Sequence, residues 1–180
     1  QIEVVPELGD KIISMHDQLT DREWLWARDP DRKLVRAAGG EFGNSNLMGM
    51  DALFPSLAGG VWAGRKLPVH GEIWSSQLDV GRSHWEQKQI TTSIDITSLP
   101  LRYSRSICLD GVAINLQHKV VNLSEDPVPY LWALHPLLNV EPGDRMEGIR
   151  NGEDMRVQVS PGLVHLADTE WIRWPGCEAG

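Results

Sequence analysis

The stretch Leu101-Arg102-Tyr103-Ser104-Arg105-Ser106-Ile107-Cys108-Leu109-Asp110-Gly111-Val112-Ala113-Ile114-Asn115-Leu116-Gln117-His118-Lys119-Val120-Val121-Asn122 decides the fold class. Its second half alternates. Val112, Ile114, Leu116, His118, Val120 and Asn122 fall on one side, and Ala113, Asn115, Gln117, Lys119 and Val121 on the other. Successive side chains of a strand point to opposite faces, so a period of two with one apolar side is the pattern of a half-buried strand. Residues 101–109 read as its partner. Asp110-Gly111 between them is the two-residue pair that favours a type I′ hairpin, since both positions tolerate positive φ.

Working outward, Ile2–Val5 and residues 11–15, 22–26, 72–80, 85–96 and 130–135 carry strand-forming residues. Residues 156–159 and 163–166 flank Ser160-Pro161-Gly162, a second hairpin signal. Turns rich in Gly, Pro, Asn and Asp separate these runs, at 28–32, 39–46 and 141–144. No stretch sustains a 3.6-residue period with caps. Many short strands between such turns predict an all-β protein, a sandwich or barrel, over a single domain spanning residues 1–180.

The bulk properties agree with a globular domain. The 180 residues are 41% hydrophobic and 23% charged, enough to bury a core without staples. The formal net charge is −8, and no basic run offers a track for phosphates, which excludes a nucleic-acid surface. No apolar run reaches membrane-spanning length and no signal-type leader opens the chain, so the cytoplasm is the default compartment, and the acidic balance argues for a neutral ligand or for simple solubility. Cys108 and Cys177 form no framework, and Cys108, in an alternating apolar run, is expected as a buried thiol. Eight tryptophans against two phenylalanines and two tyrosines are unusual. An indole presents a flat apolar face with one donor, which suits the C–H face of a sugar as well as it suits a core.

Three places could carry chemistry. In Pro68-Val69-His70-Gly71-Glu72-Ile73-Trp74 a histidine and a carboxylate stand two apart, which in extended backbone puts both on one face. In Leu131-Trp132-Ala133-Leu134-His135-Pro136 the proline ends an apolar strand, holding the His135 imidazole at a sheet end as an acid or base near neutral pH. Asp51 is a lone carboxylate in an apolar loop, Met48-Gly49-Met50-Asp51-Ala52-Leu53-Phe54-Pro55. Each also has a plain structural reading: a polar loop, a satisfied core histidine, a self-capped turn. His118, on the apolar side of its strand, reads as a satisfied core residue. No histidine pair has metal-ligand spacing, so neither a metal nor another cofactor is expected.

In order and spacing these pieces resemble the galactose mutarotase-like (aldose 1-epimerase) family. The resemblance is carried by Val4-Val5-Pro6-Glu7-Leu8-Gly9-Asp10-Lys11-Ile12-Ile13-Ser14, Thr20-Asp21-Arg22-Glu23-Trp24-Leu25-Trp26, Met50-Asp51-Ala52-Leu53-Phe54-Pro55-Ser56, His70-Gly71-Glu72-Ile73-Trp74, and Ala133-Leu134-His135-Pro136-Leu137-Leu138-Asn139-Val140. It implies a large antiparallel β-sandwich with a sugar cleft on one sheet, and interconversion of the α and β anomers of an aldose by acid–base ring opening. His135 would be the acid and His70 would polarise ring hydroxyls, while Asp51, Glu72 and Trp74 would contact the sugar. The chain departs from the family in three ways. The glutamate that serves as base lies, in the family, downstream of the His-Pro strand, and here only Glu178 is near. Asn44-Ser45-Asn46-Leu47-Met48 lacks the usual arginine, and none follows His70 as in sugar-phosphate members. The resemblance thus implies an incomplete sandwich, a non-phosphorylated sugar, and open edges that a second copy would cover. The alternative is a carbohydrate-binding or structural relative without the base.

Overall fold

The computed structural model describes residues 1–27, 34, 42, 47–81 and 88–144, together with two later strands. It is mostly β with antiparallel sheets, and no α-helix occurs among the described residues. The strands are β1 (Ile2–Val5), β2 (Lys11–Asp17), β3 (Arg22–Glu23), β4 (Met50–Leu53), β5 (Gly60–Trp62), β6 (Arg65–Leu67), β7 (Asp79–Val80), β8 (Gln89–Asp95), β9 (Leu101–Asp110), β10 (Ala113–Asn122), β11 (Ala133–Pro136), β12 (Asp154–Arg156) and β13 (Trp171–Arg173). The chain divides into two compact units. Gln1–Asn139 holds β1–β11, and Val140–Gly180 holds the antiparallel pair of β12 and β13. The turn at residues 160–162, along with Cys177, Glu178, His84 and His165, lies outside the described residues.

In the first unit one sheet runs β1-β2-β4-β11, with β3 on β2, and another runs β10-β9-β8-β7. The β9–β10 hairpin forms as expected, with its turn one residue later. Asp110 pairs with Ala113, so Gly111-Val112 are the loop residues. Gly111 has φ 58 and Val112 is not in the left-handed region, the arrangement of a type II′ turn. Val112 therefore stands at the tip, 97% exposed, rather than on the apolar face. Ile114, Leu116, His118 and Val120 are half-buried as the alternation requires. Cys108 is half-buried, because the fully buried side of β9 is the one bearing Leu101, Tyr103, Arg105 and Ile107.

Four expectations are corrected. Residues 72–80 are not one strand. A 3₁₀ turn, Ile73–Ser75, precedes a two-residue strand, because Ser75 and Ser76 hydroxyls both donate to the Glu72 carbonyl and end extended pairing there. The strand expected over 130–135 begins at Ala133, and the one expected over 22–26 is shortened to Arg22–Glu23, with Leu25 and Ala27 making single bridges to Leu138 and Met48. Conversely, the supposed loop around Asp51 is β4, a fully buried strand in the middle of its sheet. A short apolar run carries too little periodicity to reveal this.

Two apolar clusters draw on both sheets. Ala52, Phe54, Ile73, Leu78, Ile96, Leu99, Leu101 and Tyr103 form one, and Ile12, Leu25, Met50 and Ile107 the other. Arg105 lies buried on the same side of β9. Its Nε donates to Asp10 Oδ2 at 2.7 Å, its Nη2 donates to the Asp10 carbonyl, and Thr92 Oγ1 donates to Asp10 Oδ2 at 2.6 Å. Burial nonetheless holds the Asp10 carboxyl above its ordinary range, against the pull of Arg105.

His118 lies half-buried on the apolar side of β10, with its Nδ1 2.7 Å from the Tyr103 hydroxyl and its ring 4.6 Å from that of Trp132; the expectation of a fully satisfied histidine is corrected at Nε2, which is buried without a hydrogen-bond partner among the described residues. Burial, and then the nearby Arg105 charge, pull its pKa down to about 4, while burial pushes Tyr103 up to about 12. A neutral imidazole accepting from the tyrosine is the state the fold favours. Because the folded pKa lies below the ordinary 6.5, this stabilisation is present above pH 6.5 and is lost as pH falls toward 4. Asp10 and Asp51, both raised by burial, act in the opposite sense. The expected result is therefore comparative. Between pH 6.5 and 4, wild type should lose more melting temperature than His118→Gln, which keeps an acceptor and does not titrate. Equal losses in thermal scans would refute it.

Candidate functional site

The site is built on β4 and its two neighbours. Met50 pairs with Ile12 of β2, so the next antiparallel position sets Lys11 opposite Asp51. On the other side Asp51 pairs with His135 of β11. Ile12 and Met50 belong to an apolar cluster against which Leu134 packs. Strand alternation thus sends Lys11, Asp51 and His135 to the opposite face of this sheet, in one row.

Two members of that row are deeply buried, Lys11 and Asp51 at 3% exposure each. Lys11 Nζ stands 2.6 Å from Asp51 Oδ2 and donates to the Met48 carbonyl at 3.0 Å. Burial raises the Asp51 carboxyl above its usual range, and the Lys11 charge and then the His135 imidazole pull it back. Asp51 Oδ1 is buried without a hydrogen-bond partner among the described residues, and so are Nδ1 of His70 and Nδ1 of His135. Buried polar atoms are normally paired; orphans also occur among the described residues on Asp10, Ser98, Arg105 and His118, and what distinguishes these three is that they lie in one neighbourhood.

His70 reaches this neighbourhood from a turn after β6. Its φ is 61 and that of Gly71 is 71. Gly71 presses against the Phe54 backbone, where a Cβ would collide with the carbonyl, and Glu72 N–H donates to that carbonyl at 2.8 Å. Gly71→Ala is accordingly expected to cost at least about 2 kcal/mol, from left-handed strain plus overpacking, read as a lower urea midpoint. An unchanged midpoint would show that the Phe54 segment can yield.

The ring centroids of His70 and His135 are 6.3 Å apart, and Phe42 sits against both, at 4.3 Å from His70 and 5.5 Å from His135. Trp74 closes the group, 5.3 Å from Phe42. The indole is 7% exposed and its Nε1 donates to the Gly71 carbonyl at 3.1 Å, so it backs the His70 turn rather than offering an open face. Burial, followed by the His135 charge, lowers the His70 pKa, leaving a neutral imidazole at physiological pH.

Of the five residues singled out in the sequence, His70, His135, Asp51 and Trp74 converge. Glu72 does not, which corrects the expectation that it shares a face with His70. That expectation assumed extended backbone, whereas both His70 and Gly71 are left-handed. The Glu72 carboxylate accepts from the backbone N–H groups of Thr97 and Ser98, each at 2.9 Å, and lines a separate open groove with Arg65, Lys66 and Pro68. Sequence reading missed Lys11 and Phe42. A lysine in period two with Ile13 and Met15 was a usable signal for the first. A lone phenylalanine among glycines carried none for the second.

Among the described residues no three His, Cys, Asp or Glu side chains are arranged to hold a metal ion, and no helix is long and apolar enough to cross a membrane. No family model matches the chain, and neither a curated protein nor a solved structure shows significant similarity to it.

Proposed function

We propose that this chain is a galactose mutarotase-like β-sandwich that opens and recloses the ring of an unphosphorylated aldose. The observation that carries the reading is the pair of imidazoles, 6.3 Å apart, with buried unpartnered Nδ1 atoms beside an aromatic lining. That separation suits two groups flanking one acetal carbon. His135 delivers a proton to the ring oxygen as the C1–O5 bond breaks and its electron pair passes to O5. The C1 hydroxyl gives its proton to neutral His70 as the C1=O bond forms. Rotation about C1–C2 and the reverse transfers close the ring on the other face, returning both protons. Phe42 lies against both rings, so a bound sugar takes its place or stacks on it. The lysine in this row is committed to Asp51, which favours a neutral substrate over a phosphorylated one.

A second reading is a carbohydrate-binding relative that does not catalyse. It is favoured by the commitment of Asp51 to Lys11 and by the placement of Glu72 in a separate groove, on the backbone of Thr97 and Ser98. The deciding experiment follows the α and β anomer signals of galactose and glucose by NMR, with and without protein. Exchange faster than the spontaneous rate supports the epimerase. Sugar binding with no acceleration supports the relative, and neither result from folded protein rejects both.

A further inference from the structure

A sugar ring carries hydroxyls around its rim and C–H groups on its faces, so a site for one needs an apolar surface beside its polar groups. Trp74, which the sequence suggested for that surface, is 7% exposed, and its Nε1 donates to the Gly71 carbonyl. Its indole has little face to offer. Phe42 is half-buried and keeps part of its ring open. It meets three rings at once. His70 is 4.3 Å away and tilted by 46°, while Trp74 and His135, at 5.3 and 5.5 Å, stand nearly perpendicular to it. Both imidazoles that it touches keep a buried Nδ1 with no hydrogen-bond partner among the described residues. A phenyl ring has no polar atom to serve those nitrogens, whereas the hydroxyls of a sugar do.

A ligand could stack on Phe42 or push it aside. Each ring contact of this kind is worth roughly 2- to 10-fold in an equilibrium constant. A sugar that displaced the ring would break all three contacts, whereas stacking keeps them. We infer that Phe42 is the residue on which the substrate rests: the C–H face of the sugar stacks on its phenyl ring while rim hydroxyls reach the His70 and His135 imidazoles. Phe42 then sets affinity and the choice of sugar and takes no part in proton transfer. The inference rests on the reading of this site as a sugar site, and it holds for an epimerase and a binding relative alike.

The test uses the full chain with galactose and with glucose. The chain has two phenylalanines, and Phe54 is fully buried. In protein whose only ring protons are those of phenylalanine, magnetisation transferred from ring to sugar therefore reports Phe42. Wild type should pass it to the C–H protons of the bound sugar. Phe42→Leu, checked as folded by thermal melting, should weaken sugar binding roughly 10-fold, and Phe42→Trp should retain it. If the chain exchanges anomers, Phe42→Leu should raise KM to the same extent with kcat within about 2-fold, the mark of lost binding rather than lost chemistry. Sugar binding or anomer exchange without transfer from Phe42 would overturn the inference and leave the sugar reading in place. Tighter binding by folded Phe42→Ala would also overturn it, since the ring would then occupy the place of the sugar. Transfer without anomer exchange would uphold the stacking and reject the epimerase. Folded wild type that neither binds nor exchanges either sugar would overturn both.

Discussion

Arg105→Met is expected to destabilise the first unit by about 3–5 kcal/mol, because it strands the Asp10 carboxylate in the core. Arg105 is fully buried on the side of β9 that also carries Leu101, Tyr103 and Ile107, and its guanidinium supplies two of the hydrogen bonds that Asp10 receives. Asp10 is 1% exposed, and its carboxyl is already held above the ordinary range by burial. Without the guanidinium, among the described residues only the Thr92 hydroxyl remains on it. The loss should appear as a lower midpoint in urea unfolding and should shrink on mild acidification, which protonates the stranded acid. Asp10→Asn combined with Arg105→Met should recover much of it, since removing both charges of a buried pair is far cheaper than removing one. A single-variant cost below about 1 kcal/mol would mean that solvent reaches Asp10.

On the proposed reaction, His135→Asn should remove the acceleration of anomer exchange, a loss of about 10²–10⁴-fold in kcat, the usual contribution of a positioned proton donor. The amide keeps hydrogen-bonding capacity at the end of β11 but cannot pass a proton to the ring oxygen. His135 is only half-buried and is the third residue of a four-residue strand that continues through Pro136, so the fold should survive. Thermal melting of the variant checks this. A folded variant that exchanges anomers as fast as wild type would take the acid role away from His135.

Legibility differed from element to element. The β9–β10 hairpin could be read because each strand shows one face to solvent, and period two is then written in the residue types. The β4 strand could not, since both of its faces are covered and Asp51 breaks what would have been a plain apolar run. His135 stood out for the proline that follows it. Glu72 was misjudged because two left-handed residues in succession redirect the chain, and the residue types alone permitted extended backbone as well.

The all-β class, the principal hairpin and the two histidines of interest follow from local pattern alone, since period two and turn chemistry act over a few residues. Which groups meet was decided only by the tertiary structure. Lys11, Asp51 and His135 are separated by 40 and 84 residues along the chain, and it is strand register across β2, β4 and β11 that sets them in one row. Register is a property of the assembled sheet. It depends on which apolar faces pack together in the core, and no stretch of sequence carries that information by itself.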